Sequence, residues 1–133
     1  LFRSNLWDCS KAKTLVIYDS STANESYLSM IPKSVEVEKV SSDNPELISK
    51  ILAKRGCNKV LWECGPKLAT AAIQSNCIQE VITFIAPKIL GGENNMNPLG
   101  DFEFKEMNEI IKLSDSKFSL IGNDICVKSL FKN

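Results

Sequence analysis

Residues 59–72 read KVLWECGPKLATAA. The apolar run at 59–62 predicts a buried strand, and Glu63 to Pro66 predict a short turn. The helix expected after the turn has one apolar face, formed by Leu68, Ala69, Ala72 and Ile73. A buried strand that passes through a short turn directly into a helix is typical of an α/β fold.

Strands and helices also alternate on the N-terminal side of this stretch. Residues 14–18 are an apolar run rich in β-forming side chains, and residues 35–40 alternate valine with glutamate. Both segments predict strands. A helix is expected to begin at Asn44, as the cap, and Pro45, as the first helical residue, and to end at Gly56.

The C-terminal side predicts more strands. Residues 80–85 form one, and residues 102–112 and 118–131 form two longer ones. Gly122-Asn123-Asp124 is the expected hairpin turn between Leu120 and Ile125. We therefore expect an α/β fold whose mostly parallel sheet is flanked by helices and carries antiparallel strands at its C-terminal edge.

The composition is that of one ordinary globular domain. The chain has 133 residues and a formal net charge of zero, so it carries no electrostatic footprint for nucleic acid or for an acidic membrane. No apolar run approaches the roughly 20 residues of a membrane span. The first ten residues also lack the pattern of a signal peptide.

Cysteine and histidine restrict the chemistry further. The five cysteines are odd in number and form no Cys-x-x-Cys pair, which argues against a disulfide framework and against a zinc site. Free thiols predict a reducing compartment, here the cytoplasm. The chain contains no histidine. That excludes from this segment a histidine-based triad and the zinc signature of nucleobase deaminases.

The turn at Glu63 to Pro66 is the best candidate site. A helix N-terminus offers unpaired N–H groups and a positive dipole end to a phosphate, and Gly65 has no side chain to block a ligand. The alternative is an ordinary strand-to-helix turn that binds nothing. The stretch matches neither the Walker loop nor the Gly-x-Gly-x-x-Gly fingerprint.

Two strand ends carry polar side chains. Glu63 follows one predicted strand, and Asp19 and Ser20 follow another. Ligands of open α/β sheets bind outside the carboxyl ends of the strands. A carboxylate there could accept hydrogen bonds from a substrate or exchange a proton. Capping or plain turn formation would explain the same residues.

Three segments together resemble a known family. Residues 62–69 read WECGPKLA, residues 76–81 read NCIQEV and residues 85–92 read IAPKILGG. In this order and spacing they are similar to the C-terminal reductase domain of the riboflavin-biosynthesis bifunctional deaminase/reductase. Residues 17–20, IYDS, resemble a further strand end of that family. Cys64 departs from the family's commoner glycine.

The resemblance implies a dihydrofolate-reductase-like fold and NADPH as the cofactor. The implied reaction reduces 5-amino-6-(5-phosphoribosylamino)uracil, a phosphorylated pyrimidine, to its ribitylamino counterpart. Glu63 would contact substrate. Two roles remain open for it: a catalytic role as proton donor, and a role in orienting the substrate. The residues implied to contact the cofactor are Ser20, Gly65, Pro66, Lys67, Leu68, Ala69, Thr70 and Ala71.

The C-terminal strands are expected to expose backbone edges and apolar residues, which favours self-association; these residues include Ile110, Ile111, Phe118, Ile125 and Val127. The resemblance also implies a homodimer built through this part of the domain. Residues 1–133 are expected to be the C-terminal portion of a single reductase domain that lacks its N-terminal part, and to be inactive alone. Two alternatives remain: another oxidoreductase of the same fold, and a binding module that uses the scaffold without catalysis.

Overall fold

The computed structural model describes residues 5–89, 91 and 97–132. It divides into two compact units, Leu1–Gly56 and Cys57–Asn133, and each is described here by itself. Both units combine helices with strands, and the expected α/β class is confirmed.

The first unit is a parallel strand pair with helices. A short 3₁₀ helix at Asn5–Trp7 precedes β1 (Leu15–Asp19), α1 (Glu25–Leu28), β2 (Glu36–Val40) and α2 (Pro45–Lys54). β1 and β2 pair in parallel, from Leu15 opposite Glu36 to Asp19 opposite Val40. Val35 and Val40 are buried, but Val37, expected on the same side as these two, is 48% exposed.

The helix α2 begins and ends where the sequence predicts. The side chain of Asn44 accepts hydrogen bonds from the N–H groups of Glu46 and Leu47, and Pro45 is the first helical residue. Arg55 caps the C-terminus, and Gly56 follows with φ of +86°. A left-handed residue at this place is the usual helix stop.

Arg55 also joins α2 to β2. Its guanidinium reaches Glu36 through Nη1 at 2.6 Å and Glu38 through Nη2 at 2.6 Å. The two glutamates lie two residues apart on one strand, so their side chains share a face. The hydrogen bond from Arg55 lowers the pKa of Glu36, and the hydrogen bonds to Glu38 and Glu36 raise the pKa of Arg55.

The second unit is a helix with an antiparallel sheet. It contains α3 (Pro66–Gln74), β3 (Glu80–Ile85), β4 (Leu113–Ile121) and β5 (Asp124–Phe131). The strand order is β3-β5-β4, and both pairings are antiparallel. The parallel part of the described fold is therefore the pair β1-β2 alone, and β3, expected in a parallel sheet, pairs with β5 instead.

The hairpin between β4 and β5 is tighter than the sequence predicts. Ile121 pairs directly with Asp124, so Asp124 belongs to β5 and the loop is Gly122-Asn123. Gly122 takes φ of +62°, which suits glycine at the first place of a two-residue hairpin turn. Further along β4 the register shifts between Ser114 and Lys117, where Asp115 has φ of +51°, as at a β-bulge.

Two predicted strands are wrong. Residues 59–62 form no strand, and Leu61 is 80% exposed. An apolar run becomes a strand only where a neighbour completes its hydrogen bonds, and no described strand pairs with this one.

Residues 102–112 likewise form turns and irregular backbone, and the strand begins only at Leu113. Glu103 has φ of +58°, in the left-handed region, which an extended strand does not tolerate. The N–H of Lys105 donates to Oε2 of Glu109 at 2.8 Å, closing a local turn instead.

Candidate functional site

The N-terminus of α3 is the centre of the candidate site. Gly65 is the N-cap, with φ of −72° and ψ of 169°, and no side chain caps the helix. The first N–H groups of a helix have no partner inside it, and Pro66 lacks an N–H altogether. The donors at this end are therefore those of Gly65, Lys67 and Leu68, gathered where the helix dipole is positive.

The space in front of this terminus is open. A Cβ atom added at Gly65 would meet no heavy atom within 4 Å, and the φ of Gly65 is one that any residue adopts. The fold itself therefore does not require glycine here. A ligand brought against these N–H groups would require it.

Glu63 lies two residues before Gly65 and is exposed. Within the described part of the chain, its carboxylate has no hydrogen-bond or ion-pair partner. It is therefore available to a ligand held at the start of α3. Cys64, between them, is a half-buried free thiol.

An open groove of about 460 Å³ runs along α3. From the helix it is lined by Pro66, Lys67, Thr70, Ala71 and Gln74, and from a distant segment by Gly100 and Asp101. Of the predicted cofactor residues, Leu68 and Ala69 are half-buried and are not among these lining residues. Most of the exposed lining of the groove is apolar, and Lys67, Gln74 and Asp101 bring polar groups to it.

Gly100 and Asp101 were missed by sequence reasoning. The N–H of Gly100 donates to Oγ1 of Thr70 at 2.8 Å across 30 residues of sequence. Thr70 is 6% exposed, so its hydroxyl is held inside this contact. No local pattern connects positions so far apart, and the turn-forming residues near Gly100 signal only a loop.

Ser20 belongs to the first unit and is described with that unit alone. Its N–H donates to the carbonyl of Val40 at 3.0 Å, which continues the parallel pairing past the end of β1. The carboxylate of Asp19 accepts from the N–H of Ser21 at 2.8 Å and forms the turn. The side chain of Ser20 is exposed at the carboxyl end of β1, where the sequence placed a ligand contact.

The family-like segment at 85–92 is described in part. Lys88 donates its N–H to the carbonyl of Ala86 at 2.8 Å, which makes a tight turn directly after β3. Leu90 and Gly92 lie outside the described residues. Among the residues that are described, no helix is long and apolar enough to cross a membrane.

Comparison with known proteins identifies the family to which the chain belongs. A family model described as the RibD C-terminal domain matches residues 2–127. The riboflavin biosynthesis protein PYRR, chloroplastic, of Arabidopsis thaliana is 34% identical over 130 residues, which cover 98% of this chain and 22% of that protein. The riboflavin biosynthesis protein RibD of Synechocystis is 39% identical over 123 residues, 91% of this chain and 33% of that protein.

Solved structures agree in fold. Acinetobacter baumannii RibD matches with a TM-score of 0.67 at 18% identity, over 89% of this chain and 31% of that one. A pyrimidine reductase-like protein of Corynebacterium diphtheriae matches with a TM-score of 0.70 at 20% identity, over 90% of this chain and 50% of that one. The chain thus spans about a fifth to a third of the curated relatives' length.

Proposed function

Because the chain belongs to the RibD C-terminal domain family, we propose that it is part of an NADPH-dependent reductase of riboflavin biosynthesis. The substrate would be 5-amino-6-(5-phosphoribosylamino)uracil, and the product its ribitylamino counterpart. A structural relative from Thermotoga maritima, at 24% identity, is named as a diaminohydroxyphosphoribosylaminopyrimidine deaminase and a reductase of this uracil compound. The observation in this chain that carries the proposal is the uncapped start of α3, open at Gly65, next to the exposed Glu63.

The residues present fit a dinucleotide phosphate. Free N–H groups at a helix N-terminus bind phosphate oxygens, and the lack of a side-chain cap leaves these donors for a ligand. The groove beside α3 continues from this point with Lys67 on its helical wall. Pro66, Lys67 and Ala71 would hold the cofactor along the groove, with Gly65, Leu68 and Ala69 at its phosphate end. Thr70, also predicted as a contact, is buried and its hydroxyl is bonded to Gly100. Ser20, which the resemblance implies as a further cofactor contact, lies in the first unit and stays a prediction.

NADPH would supply the hydride. The protein's part is to hold the sugar in its open-chain imine form and to deliver a proton to the imine nitrogen. Glu63 is the exposed acid of the turn, and we assign to it the orientation of substrate through charge-assisted hydrogen bonds. A role as proton donor would make Glu63 essential for turnover as well.

The chain itself would be the C-terminal portion of one reductase domain. Its length relative to the matched relatives supports this, and binding sites of this kind need groups from several strand ends. The isolated 133 residues would then bind NADPH weakly and catalyse nothing. Two plant relatives are named as chloroplastic, and free thiols fit that compartment as well as the cytoplasm that the sequence favours.

The active protein would be a homodimer. Ile85, Ile125 and Leu120 lie in one cross-strand row of the antiparallel sheet, next to the pair Phe118 and Val127. Phe118 is 71% and Leu120 76% exposed. An apolar sheet face of this kind fits a second copy of itself. Ile110 and Ile111, also expected at the interface, are exposed but lie before β4.

The proposal is tested by assaying the protein that carries this chain with NADPH and the deaminated phosphoribosylamino-pyrimidine. We expect NADPH to be consumed and the ribitylamino product to form. Consumption of NADPH only with a different substrate would favour another oxidoreductase of the same fold. Absence of any turnover, with the fold intact, would favour the non-catalytic module.

A further inference from the structure

The contact between Thr70 and Gly100 brings a distant segment directly against α3. The N–H of Gly100 donates to Oγ1 of Thr70 at 2.8 Å. A Cβ atom at Gly100 would lie 3.2 Å from that Oγ1 and 3.7 Å from the carbonyl oxygen of Pro66. A side chain at position 100 would therefore push the segment away from the first turns of the helix.

The hydroxyl of Thr70 is well suited to this contact. In a helix, a threonine hydroxyl commonly bonds to a carbonyl of the preceding turn. Here Oγ1 instead accepts a hydrogen bond from outside the helix, and the side chain is 6% exposed. Loss of the acceptor would leave a partly buried amide without a partner, which favours withdrawal of the segment.

This contact builds the second wall of the groove. Gly100 and Asp101 face the wall formed by Pro66, Lys67 and Ala71. Oδ1 of Asp101 accepts the N–H of Glu103 at 2.8 Å, which fixes the turn in which Asp101 lies. The second carboxylate oxygen is left for a ligand in the groove.

We propose that Thr70 is a positioning residue, which through Gly100 holds Asp101 at the groove so that Asp101 binds ribose hydroxyls of the cofactor. The inference rests on the proposed reductase function. A carboxylate accepts hydrogen bonds from the two neighbouring hydroxyls of the nicotinamide ribose, the ribose of NADPH that carries no extra phosphate. Lys67, on the opposite wall, is the cation available to a phosphate.

The test compares three variants of the protein that carries this chain. Thr70→Val removes the acceptor at nearly constant shape, Thr70→Ser keeps it, and Asp101→Asn keeps the oxygen for Glu103 but removes the charge. We expect Thr70→Val to raise KM for NADPH about tenfold, with kcat within about twofold. Thr70→Ser should stay near wild type, and Asp101→Asn should raise KM about threefold to tenfold.

The outcomes separate this inference from the proposed function. An active wild type, with a folded Thr70→Val variant of unchanged KM, overturns the positioning role. Equal losses in Thr70→Val and Thr70→Ser overturn it too, because the hydroxyl would then be irrelevant. Should Thr70→Val fail to fold, Asp101→Asn decides, and an unchanged KM overturns the inference. A wild type that neither binds nor oxidises NADPH refutes the proposed function instead.

Discussion

Glu63 lies two residues before Gly65, so an exposed carboxylate directly precedes an uncapped helix N-terminus. The two residues offer opposite chemistry over a short stretch of backbone. The helix end attracts phosphate, and the carboxylate accepts hydrogen bonds from hydroxyl or amine groups. A reductase needs both, because it must hold the cofactor and the sugar next to each other.

Replacement of Gly65 tests the phosphate end. Gly65→Val in the intact protein should weaken NADPH binding about tenfold or more, because its branches fill the space in front of the N–H groups. Thermal stability should fall by only a few degrees, because a Cβ atom there meets nothing within 4 Å but valine is a poorer N-cap than glycine. Titration calorimetry measures the affinity, with Ala53→Val on the exposed side of α2 as the control. Unchanged affinity would make the turn merely structural.

Replacement of Glu63 tests the substrate end. Glu63→Gln keeps the shape but removes the charge, so kcat/KM for the pyrimidine should fall about tenfold to a hundredfold. NADPH affinity should remain near wild type. Steady-state kinetics across pH decide the role. A loss mainly in kcat, with an altered acidic limb, would identify Glu63 as the proton donor.

The matched control for that variant is Glu25→Gln, an exposed glutamate of α1 in the first unit. It should leave both kinetic constants unchanged. Wild-type efficiency of the Glu63→Gln variant at every pH would remove Glu63 from the site.

The cluster of Arg55 with Glu36 and Glu38 predicts a pH dependence of stability. Arg55 lowers the pKa of Glu36 from the ordinary 4.5, so the folded state binds its proton less readily than the unfolded chain. The stabilisation is therefore present above pH 4.5 and is lost as pH falls through the lowered value. Arg55→Gln should lower the melting temperature near neutral pH by on the order of 1–2 °C, and by less at pH values below this range.

Scanning calorimetry at several pH values measures this effect. The control is Lys39→Gln, which removes an exposed charge from the same strand. The same melting-temperature difference between wild type and Arg55→Gln at acidic and neutral pH would contradict the ionic origin of the stabilisation. High salt should reduce the difference at neutral pH, because exposed charges are screened.

The exposed sheet face predicts self-association. Leu120→Glu would place a charge in the row formed with Ile85 and Ile125, and should shift the intact protein toward monomer in sedimentation. Ile82→Glu is the matched control, since Ile82 points to the opposite face of β3 and is 45% exposed. A wild type that is monomeric at all concentrations would contradict the dimer.

The sequence predicted the helix starts and the hairpin turn, which are determined by residues close together in the chain. Asn44 and Pro45 fixed the start of α2, and Gly65 with Pro66 marked the start of α3. Gly122 marked the hairpin because the tight turn there requires positive φ. These features depend on neighbouring residues alone, and a single sequence displays them.

Features that depend on distant residues were missed. Residues 59–62 have the composition of a strand, but strand formation depends on a pairing partner that composition does not show. Glu103 interrupts the predicted strand at 102–112 because Asp101 stabilises a turn through the Glu103 N–H. The bond between Thr70 and Gly100, which forms the groove, joins residues 30 apart in the chain.

In the proposed reaction, hydride passes from NADPH to the sugar carbon bound to the amine nitrogen. The direct measurement uses NADPH deuterated at the transferred position, the phosphoribosylamino-pyrimidine and the protein that carries this chain. We predict a ribitylamino product that contains one deuterium on that carbon, detected by mass spectrometry, with NADP⁺ formed in equal amount. A product without deuterium, or no ribitylamino product from folded protein, would contradict the account.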